Sequence, residues 1–396
     1  MSKLLRICLI MQGSRGWIGG FEYIKNIILA LGSLPEEVRS TFQLDLLCSE
    51  SLDSDIRCQI EPYLNRIHYR DIDLEPRTLL NRIRWRITKA LFKESDPRFS
   101  NFFRKEGFDF IYPYSEESSS HQLYRPVAWI YDFQHRYLPH FFTEQEIQNR
   151  NHIFASIARY SSTVVLSSKT AESDFHKFFP EAADKTEVLS FKTSPSLQWY
   201  EGSPQQVQTA YSLPDRFFLV SNQFWQHKNH LVVFKALNLL RQQGIFPNVV
   251  CTGHIYDYRC PDYADTILQT IHKLGIANQV YLLGLIPKLD QVQLIRRAMA
   301  IIQPSLFEGW STLVEDARCL GKPMILSDLP VNLEQSPPNG VFFQRESPEH
   351  LASLLSDWWE NLSPGPDLKQ EENARINSQS EVQAFGYRFL EIAQKC

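Results

Sequence analysis

Three carboxylates, Glu308, Glu315 and Asp316, cluster around a glycine turn in the stretch QPSLFEGWSTLVEDARCLGKPMILSD, Gln303 to Asp328. The stretch reads as an apolar strand ending near Pro304, a turn at Glu308-Gly309, and a helix starting near Ser311 or Thr312. A helix start beside a glycine offers unspent N–H groups and a positive dipole end, which suits a diphosphate. Gly309, Trp310, Ser311 and Thr312 are the residues whose backbone would supply those groups. Carboxylates repel phosphate but accept hydrogen bonds from sugar hydroxyls, so the combination points to a sugar carried on a phosphate. Plainer readings stand beside this one. Thr312-x-x-Glu315 has capping-box spacing, so Glu315 could simply close the helix start. Glu308 could be a solvated loop residue, as most glutamates are.

The elements that must position these groups form two series. Leu4 to Met11 reads as a buried strand, and the turn GSRGWIGG ends at Gly19-Gly20. Phe21, Ile24, Ile27, Ile28 and Leu31 then recur at helical spacing, so strand, turn and helix open a βαβ unit. Phe42–Leu47, Phe108–Tyr112, Val127–Tyr131 and Thr163–Ser167 fit parallel strands. Ser190–Asp215, with Pro195, Pro204 and Pro214, reads as a linker. A second series follows: strands in FFLVSN, NVVCTG, QVYLLG, MAIIQP and GKPMILSD, and helices over His230–Gln242 and Tyr263–Leu274. Asn361–Asn373 reads as a loop and Glu381–Gln394 as a closing helix. No repeat of solenoid length is present. The pattern predicts two doubly wound α/β domains, 1–195 and 205–375, with 376–396 as a helix packing back on the first. Such sheets bind ligands at the carboxyl ends of their strands, so the expected site is a cleft between domains.

Composition narrows the function classes. The chain of 396 residues has 43% apolar and 22% charged residues and a net charge of −4, which argues against a nucleic-acid binder. Its seven scattered cysteines include no Cys-x-x-Cys pair, so neither a disulfide framework nor a zinc site is expected. The N-terminus does not read as a signal peptide and no apolar run is long enough to span a bilayer. A cytoplasmic protein is expected, with any membrane contact peripheral on the inner face.

The stretch SLFEGWSTLVEDARCLGKPMILSD resembles the glutamate-pair motif of the group 1 family of retaining nucleotide-sugar-dependent glycosyltransferases, which have the GT-B fold. The resemblance runs over most of the chain. It takes in WIYDFQHRYLPHFF with Asp132 and His135, VLSSKTAESDF, VSNQFWQHKNH with Asn222 and Lys228, and YLLGLIPKLDQ. It implies two Rossmann-like domains facing a cleft, the first binding the acceptor and the second the nucleotide sugar. Glu308 resembles the residue that holds the donor sugar's hydroxyls, and Glu315 or Asp316 the one that binds the ribose. Lys228 resembles the lysine that neutralises the donor diphosphate. Gly19 and Gly20 resemble the small residues that let the phosphates approach, and Leu283, Gly284 and Leu285 the segment that meets the base. Asp132 and His135 correspond to the acceptor side. The implied reaction moves a hexosyl group from a nucleoside-diphosphate sugar to a glycan, lipid or small-molecule hydroxyl, as in polysaccharide biosynthesis. It needs no metal, and front-face transfer is favoured because no side chain is an evident covalent nucleophile.

Two positions depart from the family pattern. Glu315 leaves six residues after Glu308, Gly309 to Val314; the usual spacing is one longer and lands on Asp316. The family's arginine ahead of the lysine is Gln223 here, and Arg259 is a candidate substitute. The Asp-x-Asp triplets Asp53–Asp55 and Asp71–Asp73 could hold a metal, but short acidic triplets arise easily by chance. Arg77–Lys93 has six basic residues, no acid, and Leu79, Leu80, Ile83, Ile87 and Leu91 at helical spacing. That is either a membrane-surface helix or an ordinary helix with a solvated basic face. Two other functions remain open. A sugar-nucleotide epimerase of the same fold would act on the donor alone, and a non-catalytic nucleotide-sugar binder would have no use for Lys228 beside two carboxylates.

Overall fold

Among the described residues every strand pairing is parallel, the arrangement expected when near-continuous apolar runs are covered by helices on both faces. The computed structural model describes residues 4–13, 18–49, 52, 54–76, 78–92, 96–115 and 123–395, with the backbone alone for Ile18 and 87–92. Asp53, Arg77, Lys93 and Cys396 lie outside the described residues, as does the 14–17 part of the first glycine turn. The chain divides into two units. One comprises Met1–Asp132, Gln148–Ser194 and Ser380–Cys396; the other comprises Phe133–Ile147 and Pro195–Gln379.

In the first unit, β1 (Leu5–Ile10), β2 (Phe42–Cys48), β3 (Arg66–Tyr69), β4 (Phe110–Tyr112) and β5 (Arg125–Pro126) lie in the order β3-β2-β1-β4-β5. A second sheet, β6 (Ala128–Ile130), β7 (Val164–Leu166) and β8 (Thr186–Val188), continues from it. The chain crosses between the two at Val127, whose N–H bonds Ile111 before Ala128 N–H bonds Thr163. The helix Ile18–Gly32 buries Tyr23, Ile24, Ile27, Ile28 and Leu31. Gly20 lets it start hard against the turn, since a Cβ there would sit 2.9 Å from Gly13 N.

In the second unit, β9 (Phe218–Ser221), β10 (Val249–Thr252), β11 (Val280–Gly284), β12 (Ile301–Gln303), β13 (Met324–Ser327) and β14 (Gly340–Phe343) form one sheet. Their order is β11-β10-β9-β12-β13-β14. Alternation along the strands sends Phe218, Val220, Val249 and Cys251 into one core with Val233, Leu237 and Ile267. Leu219, Val250 and Ile301 enter the opposite core with Val292, Ile295 and Val314. The strand order reverses between β9 and β12, so the loops after those two strands open at the switch point.

Two expectations need correction. Ser190–Asp215 is not a plain linker: it holds helices Gln198–Glu201 and Pro204–Ala210, with Trp199 in the core. Pro204 starts its helix instead of breaking one, because a proline at the first position gives up an N–H that would be unspent anyway, and Ser203 caps it. Nor is Asn361–Asn373 a loop throughout. Its second half begins the helix Leu368–Lys395, which absorbs the expected closing helix. Asp367 accepts from the N–H groups of Lys369 and Gln370, and Glu371 pairs with the buried Arg296.

Candidate active site

Glu308 stands in the loop after β12, and three donors converge on its Oε1: Lys228 Nζ at 2.6 Å, Ser305 Oγ at 2.6 Å and Gln303 Nε2 at 2.7 Å. Gln303 ends β12 fully buried, and its Oε1 accepts from Asn222 Nδ2 at 2.9 Å, just past β9. The loops after β9 and β12 are also tied by Leu306 N–H to His227 O at 2.7 Å. Lys228 ends the short turn Gln226–Lys228, and Asn229, in the left-handed region, sends the chain into the helix His230–Gln242. Asn222, Lys228 and Glu308 are therefore brought together. Gln303 and Ser305 complete the cluster and were not anticipated. The one signal was a polar residue ending the apolar run MAIIQ.

Ser311, not Thr312, caps the helix Thr312–Cys319, its Oγ accepting from Val314 N–H. This leaves Glu315 one residue past the capping-box position, so the box is not formed. Its carboxylate instead accepts from Gln335 Nε2 at 3.0 Å and lies 3.5 Å from Arg318 Nε. Gln335 also clamps Ser311 through both its N–H and its carbonyl. Asp316, equally buried, points elsewhere, to an ion pair with Lys288 Nζ. Lys288 opens the helix Lys288–Arg297 three residues after the segment Leu283, Gly284 and Leu285, where Leu285 is exposed and Gly284 closes β11. The adjoining Gly253 packs its backbone on the β9 loop, where a Cβ would lie 2.2 Å from Asn222 O. Gly309, Trp310 and Thr312 are half-buried around the turn.

Other residues singled out from the sequence are positioned by other elements. Gly19 and Gly20 begin the first unit's Ile18–Gly32 helix. Asp132 follows β6, 4.0 Å from Arg150 Nη1. His135 is buried between Phe133 and Phe142, and its segment, Phe133–Ile147, belongs to the second unit. Arg259 is caged by Trp225, Phe142 and Tyr258, with His227 Nδ1 at 3.3 Å and Asp257 at 3.5 Å. It adds positive charge behind the Lys228 loop. Asp73 accepts from Tyr69 N–H and pairs with Arg66, which accounts for its place in the Asp71–Asp73 triplet. Among the described residues, no group of three or more His, Cys, Asp or Glu is placed to hold a metal.

Charge in this region has a consequence for stability. Burial, then the Lys228 ammonium, pulls the His230 imidazole down to about 3. Neither of its ring nitrogens has a hydrogen-bond partner among the described residues, and the ring stacks on Phe224. Burial and then Lys228, Arg259 and His230 hold His227 well below its usual value. Both histidines must be neutral in the fold but take up protons once unfolded, near pH 6.5. The stability that depends on their neutral forms is full above pH 6.5 and is lost as pH falls below it, for His230 down to about 3, by up to about 1.4 kcal/mol per pH unit for each group. Melting temperature should fall across this window, and His230→Phe, which keeps the stack, should flatten the slope. Parallel pH profiles for wild type and variant would remove His230 from the account.

Comparison with known proteins matches residues 205–379 to the family described as Glycosyl transferases group 1. An uncharacterized glycosyltransferase of Methanocaldococcus jannaschii is 20% identical over 220 residues, 52% of this chain and 54% of that protein. The match thus spans about half the length of that curated relative. Anabaena HepE, solved in complex with UDP and glucose, is 16% identical with a TM-score of 0.65, over 99% of this chain and 100% of that one. A glycosyltransferase from Rickettsia africae is 13% identical with a TM-score of 0.67, over 99% and 98%. Sucrose-phosphate synthase from Thermosynechococcus elongatus is 14% identical with a TM-score of 0.64, over 98% of each chain. At these identities the structural likeness speaks for the fold, which is GT-B.

Proposed function

Residues 205–379 match the group 1 glycosyltransferases, and from that premise we propose that the chain is a retaining hexosyltransferase of that family. It takes its sugar from a nucleoside diphosphate and passes it to a hydroxyl of a glycan, a lipid or a small molecule. The observation that carries this reading is the Lys228–Glu308 pair, held at the switch point by Gln303, Ser305 and Asn222. With three donors on Oε1, the Oε2 of Glu308 is left to accept from hydroxyls of the donor sugar. Lys228 neutralises the leaving diphosphate as its charge grows, helped by N–H groups at the start of the Thr312–Cys319 helix. Asp316, beside the Leu283–Leu285 segment, is assigned the ribose. Asp132 is assigned to the acceptor side, with the buried His135 as a positioning residue. The glycosyl centre passes through an oxocarbenium-like state; the carbon–oxygen bond to the diphosphate breaks as the acceptor oxygen attacks the same face. A donor phosphate oxygen takes the acceptor's proton.

HepE is solved with UDP and with UDP-glucose, which makes a uridine nucleotide the first donor to test. At about 100 times its Kd a nucleotide should stabilise the protein by about 2.7 kcal/mol, so a thermal-shift screen identifies the base. Transfer from that donor, run in EDTA because no metal is required, should give a product with the donor's anomeric configuration by NMR. An inverted product would overturn the retaining mechanism. Full loss of transfer in EDTA, restored by manganese, would overturn metal independence. Donor conversion with no acceptor present would favour an epimerase.

A further inference from the structure

The helix Leu79–Phe92 is amphipathic with its faces reversed. An ordinary surface helix turns its apolar stripe to the core. Here Leu79, Leu80 and Ile83 are 73%, 80% and 50% exposed. At 3.6 residues per turn they share one arc of about 100°. Arg82 and Arg86 border that arc on one side and Arg84 on the other, all three exposed. The opposite side is the tethered one. Asn81 Nδ2 donates to Pro76 O at 2.9 Å, Trp85 Nε1 donates to Glu75 Oε2 at 2.9 Å, and the Arg98 guanidinium lies over the Trp85 ring. The helix is thus fixed by its polar and aromatic side, with its aliphatic side turned to solvent.

We propose that this face docks on an anionic lipid surface. The aliphatic stripe would sink to the boundary of headgroups and acyl chains, as in interfacial helices. Arg82 and Arg86 would meet lipid phosphates along one edge. Arg84, which is paired with Glu75, would meet them along the other. Charge decides the occupant: no acidic residue occurs between Arg77 and Lys93, so the rim is of one sign. A second copy of this chain would bring like charges together, whereas an anionic bilayer complements the whole rim.

Vesicle co-sedimentation tests this with the full chain, using phosphatidylcholine alone or mixed with phosphatidylglycerol. Binding should be strong to the mixed vesicles and weak to the neutral ones. It should fall as salt is raised to about 0.5 M, where screening shortens the reach of charge to a few ångströms. A basic residue near an anionic surface is worth about five-fold in partitioning, so Arg82→Glu with Arg86→Glu should lower it by more than about 25-fold. Leu80→Ser with Ile83→Ser should remove the part of binding that survives salt. Both substitutions fall on exposed positions, and circular dichroism should be unchanged. Equal or negligible binding to the two vesicle types would overturn the proposal, as would wild-type binding by both variants. A wild-type dimer that Leu80→Ser with Ile83→Ser turns into a monomer would make this face a protein interface instead.

Discussion

Replacing Lys228 with alanine is expected to lower kcat by about 10²–10³-fold, the loss typical when one preorganised donor to developing charge is removed. Lys228 Nζ lies 2.6 Å from Glu308 where the loops after β9 and β12 meet, and position 223 carries glutamine, which has no charge to share the work. Arg259 cannot readily take over. Its guanidinium is caged by Trp225, Phe142 and Tyr258 and engaged by Asp257 and His227. The loss should appear in kcat more than in donor KM, because the diphosphate gains charge as the glycosyl bond breaks and only interactions that strengthen in the transition state accelerate that step. The fold should survive, since Glu308 Oε1 keeps Ser305 and Gln303 as donors. Steady-state kinetics at saturating donor, with thermal melts of both proteins, measure this. A kcat within about two-fold of wild type would remove Lys228 from the chemistry. A collapse in melting temperature with an unchanged rate would make the pair structural.

The architecture was legible where apolar spacing carries it. The helix His230–Gln242 and strands such as Phe218–Ser221 appear in the sequence as period and run, because burial on a doubly wound sheet leaves that imprint. What was not legible depends on partners far away in sequence. The helix from Leu368 follows a stretch holding Pro364, Gly365 and Pro366, and its anchor is Glu371 on Arg296, 75 positions earlier. Gln303 and Ser305 were missed for a related reason. Their hydrogen bonds to Glu308 are short-range, but their purpose shows only once β9 brings Asn222 and Lys228 alongside β12. In the Leu79–Phe92 helix the sequence displays two faces but not which one is held down; Glu75 and Arg98 decide that through Trp85. The spacing ambiguity at Glu315 and Asp316 is of the same kind. Adjacent residues on a helix differ by about 100° in direction, so both can be buried and still serve different neighbours.

That divergence leads to the second large effect. Asp316→Asn should raise the donor KM by about ten-fold or more, as expected for losing a hydrogen bond to a charged group, with little change in kcat. Glu315→Gln should leave donor KM unchanged and cost stability instead. The reason is placement. Glu315 is committed to Gln335 and lies by Arg318, whereas Asp316 pairs with Lys288 next to the Leu283–Leu285 segment assigned to the base. The ribose does not change during transfer, so its ligand contributes equally in ground and transition states and appears in KM. Lys288 is about a third exposed, so water can solvate its ammonium once Asp316 is neutral, which limits the damage to the fold. A 2′-deoxyribose donor sharpens the test. Wild type should discriminate against it, and Asp316→Asn should bind it no worse than the ribose donor, the non-additivity expected when two changes remove the same contact. Lys288→Met serves as the control: if it abolishes the discrimination as fully as Asp316→Asn, then Asp316 serves only to hold Lys288, and the lysine is the group that meets the ribose. If Glu315→Gln alone raises donor KM, the shorter spacing is the functional one and the assignment to Asp316 fails.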